Sequence, residues 1–533
     1  MPAGRAWAVE PAAFGVEGFT VAAVLDRRAE QTPEHVMMII DGTPVTFAQM
    51  RDRSGAAAAL LAARGVRRGD TVALFTATCP QWVYFWLGAA RIGAVSAAVN
   101  AANKADFLAD ALNLARAKLV VTDAARRERL ADVADRVETL ASTLLIDDSL
   151  VAELSAAGHP EFVPVGAGAD EVGALFFTSG TTGPSKAVAT TWHYLFVAAA
   201  TVASAWEFGA RDVVWTAMPL FHLSAAPTVL APMLFGGTTV LASGFHPAEV
   251  WNEVRRCGAT GFAGGGAMLS MLWNLPPEPR DADTGLRFIS AAPVSAEMYR
   301  AVEDRYACRV VTMYGLTEAF PIAYKSVSDR GVAGTSGEVN PAFEVRIVDR
   351  DGREVPDGET GEVTCRPRTT HVMSEGYVSS APGGRGLRVD PHPEWFRTGD
   401  LGSLDRHRNL TYVDRVKDSL RRRGENVSSV EVERAVMGYP AVAEAAAVGV
   451  ASDLGEDDIL VLVTPRPGTT IDLCELLDFC AARMPYFCVP RYLEVLDEIP
   501  KNVVGRVRKD LLRDRGLTAA TWDREAAGYV LSR

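Results

Sequence analysis

Apolar and polar positions follow two different rhythms along this chain. Up to about Val240, apolar runs of strand length alternate with stretches of helical spacing. "DTVALF" (70–75) precedes "QWVYFWLGAARIG" (81–93), and "DFLADALNLA" (106–115) precedes "AKLVVTD" (117–123). This alternation predicts a layered α/β body with parallel strands. A β-rich stretch follows, from "GEVNPAFEVRIVDRDG" through "GEVTCRPR" to "NLTYVDR". "SSVEVERAVMGYP" then opens a new helical unit, with Ser428 and Glu431 spaced as a capping box. The pattern therefore predicts a large N-terminal α/β body with a β-rich subdomain (1–414), a connection at 415–418, and a small α+β domain at 419–533.

The stretch between Asp212 and His246 contains no Asp, Glu, Lys or Arg. Pro219, Pro227, Pro232 and the Gly236-Gly237 pair interrupt it, so it reads as a loop, a buried helix and a buried strand, not a membrane span. With 533 residues, the chain exceeds what one hydrophobic core usually supports. A 48% hydrophobic and 23% charged composition is that of an ordinary globular protein.

A net charge of -12 disfavours general binding to nucleic acid or anionic membrane, so an anionic substrate needs cations placed locally. The seven cysteines include no CxxC pair or metal-like spacing. "MPAGRAWAVEPAAFGVEG" lacks the apolar run of a signal peptide, and a cytoplasmic protein is expected. Only seven lysines occur (Lys104, Lys118, Lys186, Lys325, Lys417, Lys501 and Lys509), so Arg is the usual cation here.

"GALFFTSGTTGPSKAVAT" (173–190) is the most informative stretch. A buried strand runs into Thr178-Ser179-Gly180-Thr181-Thr182-Gly183 and ends on Pro184-Ser185-Lys186. Glycines let the backbone approach an anion closely, while hydroxyls and amides donate to phosphate oxygens. The stretch departs from the Walker pattern, because Lys186 does not directly follow a glycine. Taken alone, such a loop is equally a Ser/Thr/Gly surface turn.

The nonapeptide resembles the phosphate-binding signature of the adenylate-forming (ANL) superfamily, which comprises acyl- and aryl-CoA ligases, peptide-synthetase adenylation domains and luciferases. "MPLFH" (218–222), "SAAP" (290–293), "YGLTE" (314–318), "GETGEV" (358–363), "WFRTGDLG" (395–402) and "DRVKDSLRRRGENVSSVEVE" (414–433) resemble its other motifs, in its order. "RRRGENVSSVEVE" and "MPYFCVPRYLEVLDEIP" are most similar to the carnitine/crotonobetaine-CoA ligase branch.

The resemblance implies the ANL fold with a mobile C-terminal domain. It also implies a two-step reaction: a carboxylate and ATP give acyl-AMP and pyrophosphate, and a coenzyme A thiol then displaces AMP. The implied ligands are ATP/AMP, coenzyme A, Mg2+ and a small carboxylic acid or its acyl-adenylate. By the same resemblance, Thr178 to Lys186 cradle the β- and γ-phosphates, Thr317 meets the α-phosphate, and Glu318 holds the metal. Ala291, Ala292, Pro293, Tyr314 and Gly315 flank adenine, Asp400 takes the ribose hydroxyls, and Arg415 reaches ribose or phosphate. Lys417 is the hinge, Gly424 meets the pantetheine, and His222 is the aromatic gate between acyl site and thiol tunnel.

Gly264, Gly265 and Gly266 fall where relatives line the acyl pocket; they either clear room for a bulky acid or form a tight turn. Trp192 stands where many relatives have histidine, and His193 is that histidine displaced by one residue or an unrelated one. The last departure is at "IPKNVVGRVRKDLLRDRG" (499–516), where Arg506 takes the position of the family's catalytic lysine.

A planar guanidinium is not equivalent to a compact ammonium in a tight slot. Three readings follow. The first is an acyl-CoA ligase whose adenylation is impaired and whose thioesterification dominates, fed by a separate adenylating enzyme. The second is a complete two-step synthetase. The third is a non-catalytic acid- or nucleotide-binding paralogue. No nucleic-acid or membrane partner is expected, and a homodimer is compatible with the sequence.

Overall fold

The computed structural model describes residues 9–156, 158, 168–178, 185–273, 275–294, 296–329, 331–349, 351–379, 387–415, 419–423, 425–452, 455–500 and 507–531. Two large sheets form the N-terminal body. One has eight strands; its centre and one edge run parallel through Val172–Thr178, Val95–Ala98, Thr71–Phe75, Ala117–Asp123 and Ser142–Ile146. The other has seven strands, parallel except for Thr43–Thr46 at one edge.

The parallel expectation holds for these strands and fails at the far edge of the first sheet. Lys186–Thr191, Gly376–Ser379 and Arg388–Pro391 join there antiparallel. A two-residue side-chain period is common to both kinds of strand, so the hydrophobic pattern does not carry that distinction.

The elements form for local reasons. Every residue of Thr71–Phe75 is buried, as in a strand covered on both faces. Helix Pro80–Arg91 opens on proline, whose missing N–H and fixed φ suit the first turn, and all its residues from Gln81 onward are buried. The uncharged stretch forms helix Ala226–Phe235 and strand Thr238–Leu241, ending the helix on left-handed Gly236. Among the described residues no helix is long and apolar enough to cross a membrane.

The β-rich part contains a four-stranded antiparallel sheet, Phe343–Val348, Gly361–Pro367, Phe396–Leu404 and Leu410–Arg415. Beyond it lies hairpin Ser419–Arg422/Glu425–Ser428, followed by a four-stranded sheet with helices Ser429–Met437, Leu473–Ala481 and Lys509–Arg515. This smaller α+β domain has its own apolar core, including Val432, Leu476, Val461 and Leu493.

Candidate active site

The phosphate-type loop is held at both ends by one hairpin. Strand Val172–Thr178 pairs antiparallel with Lys186–Thr191, and the register sets Thr178 opposite Lys186. Thus the loop leads into a strand. Its tip (Ser179, Gly180, Thr181, Thr182, Gly183 and Pro184) lies outside the described residues, as do Lys417, Gly424 and Arg506.

Thr317 and Glu318 stand at the tip of a tight turn, because Leu316 and Ala319 exchange backbone hydrogen bonds of 2.9 and 3.2 Å. The Tyr194 hydroxyl donates to the Thr317 carbonyl at 3.1 Å. Glu318 is buried, and the Tyr377 hydroxyl donates to its Oε1 at 2.6 Å. The Lys186 ammonium lies 4.6 Å from the centre of the Tyr377 ring. Tyr377 therefore joins the cation of the loop to the carboxylate of the turn. Burial and the Glu318 charge push the Tyr377 hydroxyl pKa up, so it stays a donor.

A buried carboxylate can hold Mg2+ when substrate phosphates and waters complete the shell. Among the described residues no group of three or more His, Cys, Asp or Glu side chains is placed to hold a metal ion. Beneath Lys186 lies His392, whose Nε2 is 2.7 Å from Ser374 Oγ. Burial, and then the Lys186 charge, hold its pKa down at about 4.

Asp400 sits in strand Phe396–Leu404, opposite Arg415 in register, and only 3% of it is exposed. The Tyr314 hydroxyl donates to Asp400 Oδ2 at 2.9 Å. Tyr314 was expected beside adenine; the structure adds a direct tie from it to the ribose candidate. Ala291, Ala292 and Pro293 follow strand Phe288–Ser290 and lie close to the glycine segment.

The three glycines differ. A Cβ on Gly266 would lie 2.4 Å from the Pro293 carbonyl oxygen, and one on Gly264 would lie 2.8 Å from the Phe262 ring. Only Gly265 of the three has nothing within 4 Å of that point. The expectation that all three clear space therefore narrows to Gly265, and Gly266 serves close backbone packing. Trp192 is fully buried against Trp86, while His193 faces Asp170 at 3.5 Å and packs on Phe19. Neither residue lines the cleft described next.

One cleft runs between the body and the smaller domain, with Asn100, Thr178, His222 and Thr317 on one side and Glu425 and Phe487 on the other. His222 Nε2 lies 2.9 Å from Glu425 Oε2, and Asn100 Nδ2 donates to the same oxygen at 3.4 Å. Glu431 reaches Ser185 from the same domain. Lys509 is committed inside the smaller domain, at 2.8 Å from Ser429 Oγ and 2.6 Å from Glu433.

Sequence reasoning missed Tyr377, Glu425 and the outward role of Glu431. Tyr377 and Glu425 lie in "EGYVSS" and "GENVSS", where adjacency to motif glycines was the only signal.

Residues 25–378 match the family model of the AMP-binding enzyme, and residues 431–506 match that of the AMP-binding enzyme C-terminal domain. The crotonobetaine/carnitine–CoA ligase of Salmonella paratyphi A is 30% identical, over 88% of this chain and 93% of that protein. Among solved structures, an o-succinylbenzoate CoA synthetase double mutant from Bacillus subtilis, bound with its product analogue, superposes with a TM-score of 0.79. It is 25% identical and covers 92% of this chain and 98% of its own. ATP-bound MatB from Rhodopseudomonas palustris gives a TM-score of 0.65 at 26% identity, over 93% and 98%.

Proposed function

The chain belongs to the AMP-binding enzyme family, within the adenylate-forming acyl-CoA ligases, and on that premise we propose that it makes a coenzyme A thioester from an acyl-adenylate. The observation that carries this reading is the Glu425–His222 contact, which sets the smaller domain across the cleft beside Thr317.

In this reading the hairpin Val172–Thr178/Lys186–Thr191 presents donors and a cation to the leaving phosphates, and Thr317 meets the α-phosphate. Asp400 fixes the ribose, with Tyr314 holding the carboxylate in place, and adenine lies along Ala291 to Pro293. Glu318, oriented by Tyr377, would hold Mg2+. When bound, that ion neutralises phosphate charge as pyrophosphate forms. Fixed donors and cations aimed at developing charge are the main source of rate here. His222, held by Glu425, stands between acyl site and thiol entrance, and Gly265 offers the acid its room.

Arg506 carries the finer proposal. A fork-shaped guanidinium in place of lysine impairs attack of the carboxylate on ATP, while thiol attack on a ready-made adenylate is spared. Lys509 is already paired with Glu433, which argues against its substituting for the lysine. A separate adenylating enzyme in the cytoplasm would then supply the acyl-AMP. The intact Glu318–Tyr377 and Asp400–Tyr314 pairs favour a complete two-step synthetase as the second reading. Pyrophosphate release from free acid and ATP separates the two. A slow rate that Arg506→Lys raises supports impairment, and a fast wild-type rate supports the complete enzyme.

A further inference from the structure

The thioester step proposed above leaves unexplained what holds Glu425 where it meets His222. Glu425 sits in hairpin Ser419–Arg422/Glu425–Ser428, and the register sets it opposite Arg422. Arg422 is 2% exposed, and its guanidinium reaches two separate parts of the smaller domain. Nε donates to Asp458 Oδ1 at 3.0 Å, in strand Asp457–Pro465, and Nη1 donates to the Val489 carbonyl at 2.5 Å. Pro485, Phe487 and Cys488, just before Val489, line the same cleft as Glu425. One buried guanidinium thus ties together two stretches of cleft wall, its ends 67 residues apart in sequence.

The tie is backed from behind. Asp458 Oδ2 accepts from Arg491 Nη1 at 2.9 Å, and Arg491 in turn donates to the two oxygens of Asp523 at 3.3 and 3.1 Å. Asp523 belongs to the short strand Trp522–Asp523, which pairs antiparallel with Tyr492–Val495. Arg524, 3% exposed, donates to the same Val489 carbonyl at 3.2 Å. Burial lowers the Arg422 pKa, and the Asp458 charge offsets part of that, so the buried charge leans on its partner. Burying such a pair adds little net stability, so stability alone does not account for it. A planar fork that holds two acceptors at fixed angles does fix their relative position.

Resting on the reading of Glu425 and His222 given above, we propose that Arg422 is a positioning residue for thioester formation. With Asp458 it locks the Glu425 hairpin to the cleft wall at 485–488, and residues 522–524 complete the lock from behind. Arg422 is buried and acts through Glu425 and that wall. The segment at 522–524, which does not line the cleft, thereby takes part in the second step through Asp523, Arg491 and Asp458.

The test uses the full chain with supplied acyl-adenylates and saturating coenzyme A. Arg422→Lys keeps the charge but cannot hold both acceptors. Single-turnover thioester formation should fall about tenfold, while pyrophosphate release from acid and ATP changes little. Hydrogen exchange should rise at both 425–428 and 485–489 and stay unchanged in strand Val442–Ala451. Asp523→Asn, at the partly exposed end of the chain of contacts, carries the same test should Arg422→Lys not fold, with a fall of about threefold expected. Unchanged thioester formation and exchange in a folded variant overturn the lock and leave the Glu425 reading standing. Equal slowing of both half-reactions assigns Arg422 to stability alone and overturns the lock as well. No thioester from any adenylate with the wild type overturns that reading and the lock with it.

Discussion

Tyr314 donates its hydroxyl to Asp400 Oδ2 at 2.9 Å, and both residues are buried. In the proposed role of Asp400, accepting two ribose hydroxyls, the carboxylate needs a fixed orientation, and this bond supplies it. Tyr314→Phe leaves the buried carboxylate one donor short, at a cost of about 1–3 kcal/mol. AMP affinity, measured by calorimetry, should fall about tenfold or more, with the fold retained in the circular dichroism spectrum.

Tyr377 plays the corresponding part for Glu318 through its 2.6 Å bond. On the proposal that Glu318 holds Mg2+, Tyr377 orients its carboxylate, and residues in that position typically matter about 10–100-fold in metal affinity. Tyr377→Phe should raise the Mg2+ concentration needed for half-maximal adenylate formation by about tenfold. A Mg2+ titration at saturating ATP checks it.

The glycine segment gives a contrast within three residues. Gly266→Ala puts a Cβ 2.4 Å from the Pro293 carbonyl oxygen, so backbone must shift, at about 1–3 kcal/mol. Gly265→Ala meets nothing within 4 Å and should leave the melting temperature unchanged while altering which acids are accepted. Thermal denaturation of both variants, with an acid panel for the second, decides the point.

His392 gives a pH dependence with a defined sign. Its folded pKa of about 4 lies below its unfolded value of about 6.5, so the unfolded chain binds the extra proton. This contribution to stability is fully present above pH 6.5, falls as pH drops through that window, and levels off near pH 4. The loss is about 3 kcal/mol at most. His392→Gln should flatten that part of the curve in urea unfolding at stepped pH.

Some of this site was legible in the sequence and some was not. The strand before Thr178, the Thr317-Glu318 pair and Asp400 were identified as motif positions because short contiguous segments carry them. Tyr377, Glu425 and Glu431 were not, because their partners Glu318, His222 and Ser185 lie on distant elements. The capping-box spacing of Ser428 and Glu431 pointed inward along the helix, whereas Glu431 Oε1 meets Ser185 of the body. The alternation of strands and helices announced the layered body. It did not reveal the antiparallel edge containing Lys186, because strand pattern is blind to direction. For Gly264 and Gly266, glycine was visible in the sequence, but the ring and carbonyl that require it were not.

The proposed thioester-forming reading rests on the contact of Glu425 with His222 at 2.9 Å. A hydrogen bond to a charged group contributes about 1.5–3 kcal/mol. Glu425→Ala should therefore slow thioester formation from a supplied adenylate by about 10–100-fold, while adenylate formation changes little. Single-turnover kinetics of each half-reaction reads the difference.

The most direct test sets two rates side by side for the same acyl group: coenzyme A thioester formed from supplied acyl-adenylate, and thioester formed from free acid with ATP and Mg2+. A panel of acyl-adenylates locates the acid first. On the proposal that Arg506 takes the place of a catalytic lysine, the adenylate route should be faster by about a hundredfold or more, the scale of losing one charge-stabilising group at a reacting centre. Equal rates by the two routes would contradict the account.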